Sequence, residues 1–333
     1  MMMMMKANKK KLHDLLVMAG VVALFAVVAG LLYSGSLSRQ VTNMLIPTSV
    51  YIVLAVSLNL VVGLLGELSL GHAGFMSVGL FSGCLVSIAL SQMAMPLAVR
   101  MVLAMLAGGL VAAVFGLLVG LPTLRLKGDY LAIVTLACGE IIKNVITNLD
   151  ITGGALGLNT SAVYSGAQVL LPYAAALVLI TCVVMLNLKR SKYGRAIMAI
   201  RDNRIAAESV GLNVTFFKLA VFVIAAFFAG AAGVLYGHSL ANVKAAAFDY
   251  NMSIEILIIV VLGGMGSVPG SIIAAIVLTV LPEALREFSD YRMVVYALVL
   301  ILVMHATNNP AMKRMFAAVR EKLSAHKKGG AAA

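Results

Sequence analysis

Few ionisable side chains lie inside the apolar runs of this chain, and they mark where chemistry could occur. Glu67 and His72 flank Leu68, Ser69 and Leu70 in a glycine-rich interruption that opens at Gly66 and includes Gly71. A carboxylate or imidazole at membrane depth is costly and is characteristic of ion and solute pathways. Backbone groups freed by such a break need protein partners or a water-filled cavity. The segment reads either as a break lining a pathway or as a short polar turn at the membrane surface. Glu140 and Lys143 lie one helical turn apart. They could pair on one helix face, or meet the two charges of a zwitterionic solute. Glu255 follows Ser253 at the head of another apolar run, where the helix dipole would favour a carboxylate. These groups suit binding and passage rather than bond cleavage. No His/Cys/carboxylate set has metal-ligand spacing, no clustered catalytic set appears, and Cys84, Cys138 and Cys182 are isolated thiols. Neither Gly-x-x-x-x-Gly-Lys-Ser/Thr nor Gly-x-Gly-x-x-Gly after a strand occurs, so any use of ATP requires a separate chain. The reading is a non-enzyme with no metal and no cofactor of its own.

The elements that must position these residues follow from composition. The 333 residues are 62% hydrophobic and 11% charged, with a mean hydropathy of +1.03. A soluble domain is nearer about 45–50% apolar and about 25% charged. The solvent is therefore lipid. A net charge of +12 could suggest nucleic acid, but the positives lie between apolar runs, where membrane orientation accounts for them. No nucleic-acid partner is expected.

The expected fold is an all-α polytopic membrane bundle of about ten spans (8–10), some broken at glycines. Lys6, Lys9, Lys10 and Lys11 precede the run Leu15–Tyr33, which is long enough to cross about 30 Å of hydrocarbon. It reads as an uncleaved first span, with Ser34-Gly-Ser36 leaving cleavage open. Further spans read as Met44–Leu65, Ala73–Leu90, Leu97–Leu121, Tyr130–Ile146, Val169–Leu188, Leu219–His238, Ile254–Leu262, Ser271–Leu281 and Met293–Met304. The two flanking Gly263–Gly270 are short and could be two spans or a re-entrant hairpin. Ten spans put Arg125/Lys127, the Lys189–Lys218 stretch and the Lys313–Lys328 tail on the N-terminal side. This divides the chain into a basic N-terminus (1–13), one membrane domain (14–306) and a basic tail (307–333), with both termini cytoplasmic. Gly79/Gly83, Gly116/Gly120 and Ala229/Gly233/Gly237 have the spacing of close helix packing. Val62-Gly-Leu-Leu-Gly66 is echoed by Leu262-Gly-Gly-Met-Gly266, the kind of paired break that transporters place near their pathway. The echo makes Gly263 and Gly264 pathway candidates. Thr152-Gly-Gly154 and Gly157 form a loop on the side opposite the basic stretch.

The one long polar interval runs from Lys189 to Lys218. It carries Lys189, Arg190, Lys192, Arg195, Arg201, Arg204 and Lys218 against Asp202 and Glu208. Within it, Ala196–Val210 lacks Pro and Gly and then meets Gly211, a normal helix stop. Helical spacing places Ala199, Asn203, Ala206 and Val210 on one face and Arg201, Arg204 and Glu208 on the other. This predicts a short amphipathic helix across the end of the bundle.

Ser191-Lys-Tyr-Gly-Arg195, Ala199-Ile-Arg-Asp-Asn203 and Ala206-Ala-Glu-Ser-Val-Gly-Leu-Asn213 resemble the coupling loop of the LivM-type branched-chain amino-acid permease family. So do Gly66-Glu-Leu-Ser-Leu-Gly-His-Ala-Gly-Phe75, Leu124-Arg-Leu-Lys-Gly-Asp-Tyr-Leu-Ala-Ile-Val-Thr-Leu136, and Ser253-Ile-Glu-Ile-Leu257 with Gly263-Gly-Met-Gly266. The similarity runs from about Val41 to Pro310. It implies a permease subunit of an ABC importer for leucine, isoleucine or valine in a bacterial inner membrane. The implied partners are a second, LivH-type permease, two cytoplasmic ATPases that bind the ATP, and an extracytoplasmic solute-binding protein facing the Thr152–Gly157 loop. The resemblance gives ATPase coupling to Arg195, Ala199, Arg201, Asp202, Asn203, Ala206, Ala207, Glu208 and Gly211. It adds Thr135 to the pathway candidates Gly66, Glu67, Ser69, Gly71, His72, Glu140, Glu255, Gly263 and Gly264. A related urea or amide importer is the alternative within the class, and an ion-coupled secondary carrier the alternative outside it.

Overall fold

The computed structural model describes residues 2–93, 95–126 and 128–285, together with 294, 297, 298 and 301. Lys127, the tail and most of the expected last span at 293–304 lie outside the described residues. The chain forms two compact units, 1–279 and 280–333, and the site belongs to the first. Eight described helices are long and apolar enough to cross a membrane, and Val268–Glu283 is a shorter apolar helix. The expected polytopic bundle is therefore what the chain forms.

In order, the spans are α1 (Met2–Tyr33), α2 (Arg39–Asn59), α3 (His72–Ser91), α4 (Leu97–Thr123), α5 (Asp129–Asn148) and α6 (Ala167–Arg190). Then come the short α7 (Lys192–Asp202) and α8 (Arg204–Ser209), followed by α9 (Val214–His238), α10 (Tyr250–Gly263) and α11 (Val268–Ala284). A π-helical segment, Leu60–Leu65, extends α2, and residues 52–65 of the combined span are all buried. The pair flanking Gly263–Gly270 is two helices joined by a turn, with α10 preceded by a single 3₁₀ turn at Ala245–Ala247.

Lipid offers no hydrophobic drive between helices, so close backbone approach must hold the bundle together. The central trio α3, α4 and α9 achieves it with glycine. A Cβ on Gly79 would fall on the backbone of Gly230, one on Gly233 against the Met76 carbonyl, and one on Gly83 at 2.8 Å from the Ala104 carbonyl. Gly116 faces Ala226 and Gly120 faces Leu219, so the end of α4 lies beside the start of α9. The small-residue pairs read from the sequence are thus packing positions. At one end of the bundle, which we call the basic end, the stretch 189–218 touches the π-helical end of α2 and the α10–α11 turn. At the other end, two loops pair as a minimal antiparallel sheet, β1 (Leu158–Asn159) with β2 (Asn242–Val243).

The basic stretch departs from expectation. Instead of one helix over 196–210 there are two, because Asn203 adopts extended backbone (φ −155°, ψ 103°). Its Oδ1 accepts from Ala206 N at 3.1 Å and caps α8, a role for which Asn is among the preferred residues. Ser191 caps α7 in the same way through Gly194 N at 3.0 Å. Gly211 follows α8 with φ +81°, the expected stop.

Gly79→Val should lower the thermal unfolding temperature of the detergent-extracted protein, an overpacking cost of about 1–3 kcal/mol. Gly20→Ala, where a Cβ meets nothing within 4 Å, should leave it unchanged.

Candidate functional site

The site is built where two glycine breaks meet beneath the basic loop. The π-helical segment ends at Gly66, whose φ of +78° is left-handed and open to glycine at little cost. Irregular chain then runs to Gly71, and α3 begins at His72 without a side-chain cap. Two of the freed backbone groups find their partners on other helices. Leu70 N donates to Thr135 Oγ1 of α5 at 3.0 Å. Ala73 N donates to Ser253 Oγ of α10 at 3.2 Å. Gly71 packs so closely that a Cβ there would lie 2.7 Å from the Thr135 carbonyl. Side chains bind the break in the same fashion. Ser57 Oγ sits 2.9 Å from Nε2 of the buried His72, and Lys218 of α9 forms an ion pair with Glu67, their side chains only 6% and 15% exposed.

The second break is joined to the first by Asn59, a fully buried amide on α2. Its Nδ2 donates to Ser271 Oγ at 2.7 Å and to the Ser267 carbonyl at 3.2 Å. Its Oδ1 accepts from Gly266 N at 2.6 Å. Gly266 has φ +80°, nearly matching Gly66, and the space beside Gly63 is filled by Gly266 and Asn59. The echoed Val62–Gly66 and Leu262–Gly266 are therefore packed against each other. Gly263 lies against Gly270, where a Cβ would come 2.6 Å from backbone, and Gly264 turns the chain at φ +90°.

Two cations complete the site at helix ends, where the dipole favours positive charge. Arg201 Nη1 donates to the Gly63 carbonyl at 3.2 Å, and Lys189 Nζ donates to the Gly266 carbonyl at 2.6 Å. Two buried atoms, Ser69 Oγ and Glu67 Oε2, have no hydrogen-bond partner among the described residues, which fits a segment able to take up other partners.

The structure thus brings together Gly66, Glu67, Ser69, Gly71, His72, Thr135, Gly263 and Gly264. Glu140 and Glu255 stand apart from them. Glu140 pairs with Lys143 and accepts from Tyr250 N at 2.8 Å, so the same-face pairing is the one the fold uses. Glu255 does not cap α10. Asp249 does so through Met252 N at 3.2 Å, while Glu255 accepts from Tyr51 OH at 3.0 Å, partly buried. Of the coupling set, Arg195, Ala199, Asp202, Asn203, Ala206, Glu208 and Gly211 are exposed. Arg201 is divided between Asp202 and Gly63. Ala207 is only 3% exposed and faces the bundle, so it is withdrawn from the docking surface. Ile205 and Val210 stand out at 80% and 76% exposed.

Sequence reasoning missed Asn59, Ser57 and the partners of Lys189 and Lys218. An amide inside Leu58-Asn59-Leu60 was itself a signal, since a polar side chain within a span usually bonds across helices.

Residues 40–304 match the family model described as branched-chain amino acid transport system / permease component. The chain belongs to this permease family. It is 36% identical over 301 residues to the high-affinity branched-chain amino acid transport system permease protein LivM of Salmonella typhimurium, covering 80% of this chain and 68% of that one. The Escherichia coli LivM protein gives the same identity and coverage. The permease protein LivH of Escherichia coli is 24% identical over 285 residues, 80% of this chain and 92% of that one. No solved structure matches. As a member of this family the chain is a multi-pass membrane transport permease and not an enzyme.

Asn59→Ala would remove three hydrogen bonds and leave the Gly266 N–H without its acceptor, at a cost of about 1–3 kcal/mol for the unpaired group. The variant should unfold at a markedly lower temperature than the parent in a detergent melt.

Proposed function

We propose that this permease admits leucine, isoleucine or valine across a bacterial cytoplasmic membrane, pairing with a second permease and driven by two separate ATPases. The observation that carries this reading is the family match over 40–304, joined to a basic loop seated on the glycine breaks. The basic end is cytoplasmic in this reading, because Lys189, Arg190, Lys192, Arg195, Arg201, Arg204 and Lys218 gather there. The ATPases dock on the exposed surface of α7 and α8, where Ala199, Ile205, Ala206 and Val210 offer an apolar contact flanked by Arg195, Asp202 and Glu208. A solute-binding protein delivers at the opposite end, where Ile151 and Leu156 are 68% and 82% exposed. ATP moves the equilibrium between outward and inward access only by binding one state better than the other.

The solute path runs past the breaks, lined by Gly66, Glu67, Ser69, Gly71, His72, Thr135, Gly263 and Gly264. The partly buried carboxylates Glu140 and Glu255 lie on α5 and α10, and the second permease closes that side.

Uptake of labelled leucine into vesicles holding all components should require both the ATPases and the binding protein. Urea uptake instead would move the cargo to the related amide importers, and uptake of either without the ATPases would overturn the mechanism. Ala206→Trp should leave the complex in the membrane and ATP hydrolysis running. Leucine uptake should fall by about 5- to 150-fold, the loss expected when a coupling of about 1–3 kcal/mol is removed; unchanged uptake would reject this docking surface.

A further inference from the structure

We propose that Lys189, Arg201 and Lys218 are positioning residues that tie the docking loop to both glycine breaks, so that displacement of α7 is transmitted into the membrane. This rests on the proposed docking of ATPases at the same loop. Orientation of the protein in the membrane requires only that positive charge lie on one side; it requires no particular partner. These three cations nonetheless reach specific groups, one cation from each of α6, α7 and α9. Lys189 meets the carbonyl of Gly266, Arg201 that of Gly63, and Lys218 the carboxylate of Glu67. The Arg201 stem also lies over Gly66, where a Cβ would come within 3.0 Å of its Cδ.

The geometry makes a continuous connection. Ile197 and Ile200 are buried beneath α7, so α7 moves as one body with the Arg201 side chain. Arg201 holds a π-helical segment, a form that occurs mostly as short pieces at functional places in helices. Asn59, just before that segment, bonds Gly266 N, the Ser267 carbonyl and Ser271 Oγ. A push on α7 therefore reaches the first break through Arg201 and the second through Asn59. Lys189 and Lys218 fix the same two breaks from α6 and α9.

The test uses the full assembly of permeases and ATPases, in two variants. Glu67→Gln with Lys218→Met removes both charges of the buried pair, which leaves neither uncompensated and is compatible with a folded protein. Arg201→Met removes the contact with Gly63, and Arg201→Lys restores a cation. The readout is amide hydrogen exchange across 63–71 and 264–271, with and without a non-hydrolysable ATP analogue. In the parent assembly the analogue should change exchange in both breaks. In the double variant and in Arg201→Met that change should shrink about fivefold or more, while α7 and α8 still respond. Arg201→Lys should retain most of it. Breaks that respond equally in all variants would overturn the link, and so would loss of the response in α7 as well. Exchange does not depend on cargo, so an assembly that fails to take up leucine but still shows the linked response would count against the proposed substrate and not against this connection.

Discussion

Backbone polar groups cannot be left unpaired in hydrocarbon, and this constraint organises the chain more than any single contact. Regular helices meet it within themselves. The two glycine breaks do not, and each freed group that would face lipid costs several kcal/mol. The solution is collective. Thr135 of α5, Ser253 of α10, Arg201 of α7 and Lys189 of α6 each satisfy one backbone group of a break. Asn59 bonds three groups at once. The two interruptions in this way draw α2, α5, α6, α7, α10 and α11 together.

The same constraint explains why charge lies where it does. A buried ion pair such as Lys218–Glu67 is weak grounds for stability, because desolvation offsets most of the attraction. Its value is specificity of place. Only one arrangement of α9 against the first break pairs both groups, so the pair fixes the register of the basic loop on the bundle. The glycine contacts among α3, α4 and α9 provide the rigid part against which that loop is held.

Much of this was legible in the sequence, for physical reasons that also mark its limits. Spans are legible because lipid demands long contiguous apolar runs, and the helices α2 to α6, α9, α10 and α11 fall on the runs expected for them. The breaks are legible because glycine clusters interrupt those runs. The division of the basic stretch at Asn203 was not, since an Asn inside a helical pattern is a cap only if its own backbone is extended. Asn59 escaped notice because its partners lie more than 200 residues away, beyond any local periodicity. Glu255 was misplaced for a similar reason. The local rule for helix starts is met by Asp249, and the partner of Glu255 is Tyr51 on another span.

The pairing of the two breaks has a consequence for movement. Gly66 and Gly266 share nearly the same left-handed φ, and Gly63 and Gly266 pack together beside the Asn59 amide. Close-packed backbones cannot slide independently, because interiors are dense and rearrange between discrete packings rather than deforming smoothly. Opening one break must then disturb the other through Asn59. A permease that alternates between two access states needs such an element, with few stable arrangements and a handle outside the membrane. The unpartnered Ser69 Oγ and Glu67 Oε2 lie in the first break, where a change of partners costs least. The handle is the basic loop, whose exposed Ile205 and Val210 lie in and just after α8, next to the α7 helix whose Arg201 holds Gly63 and Gly66.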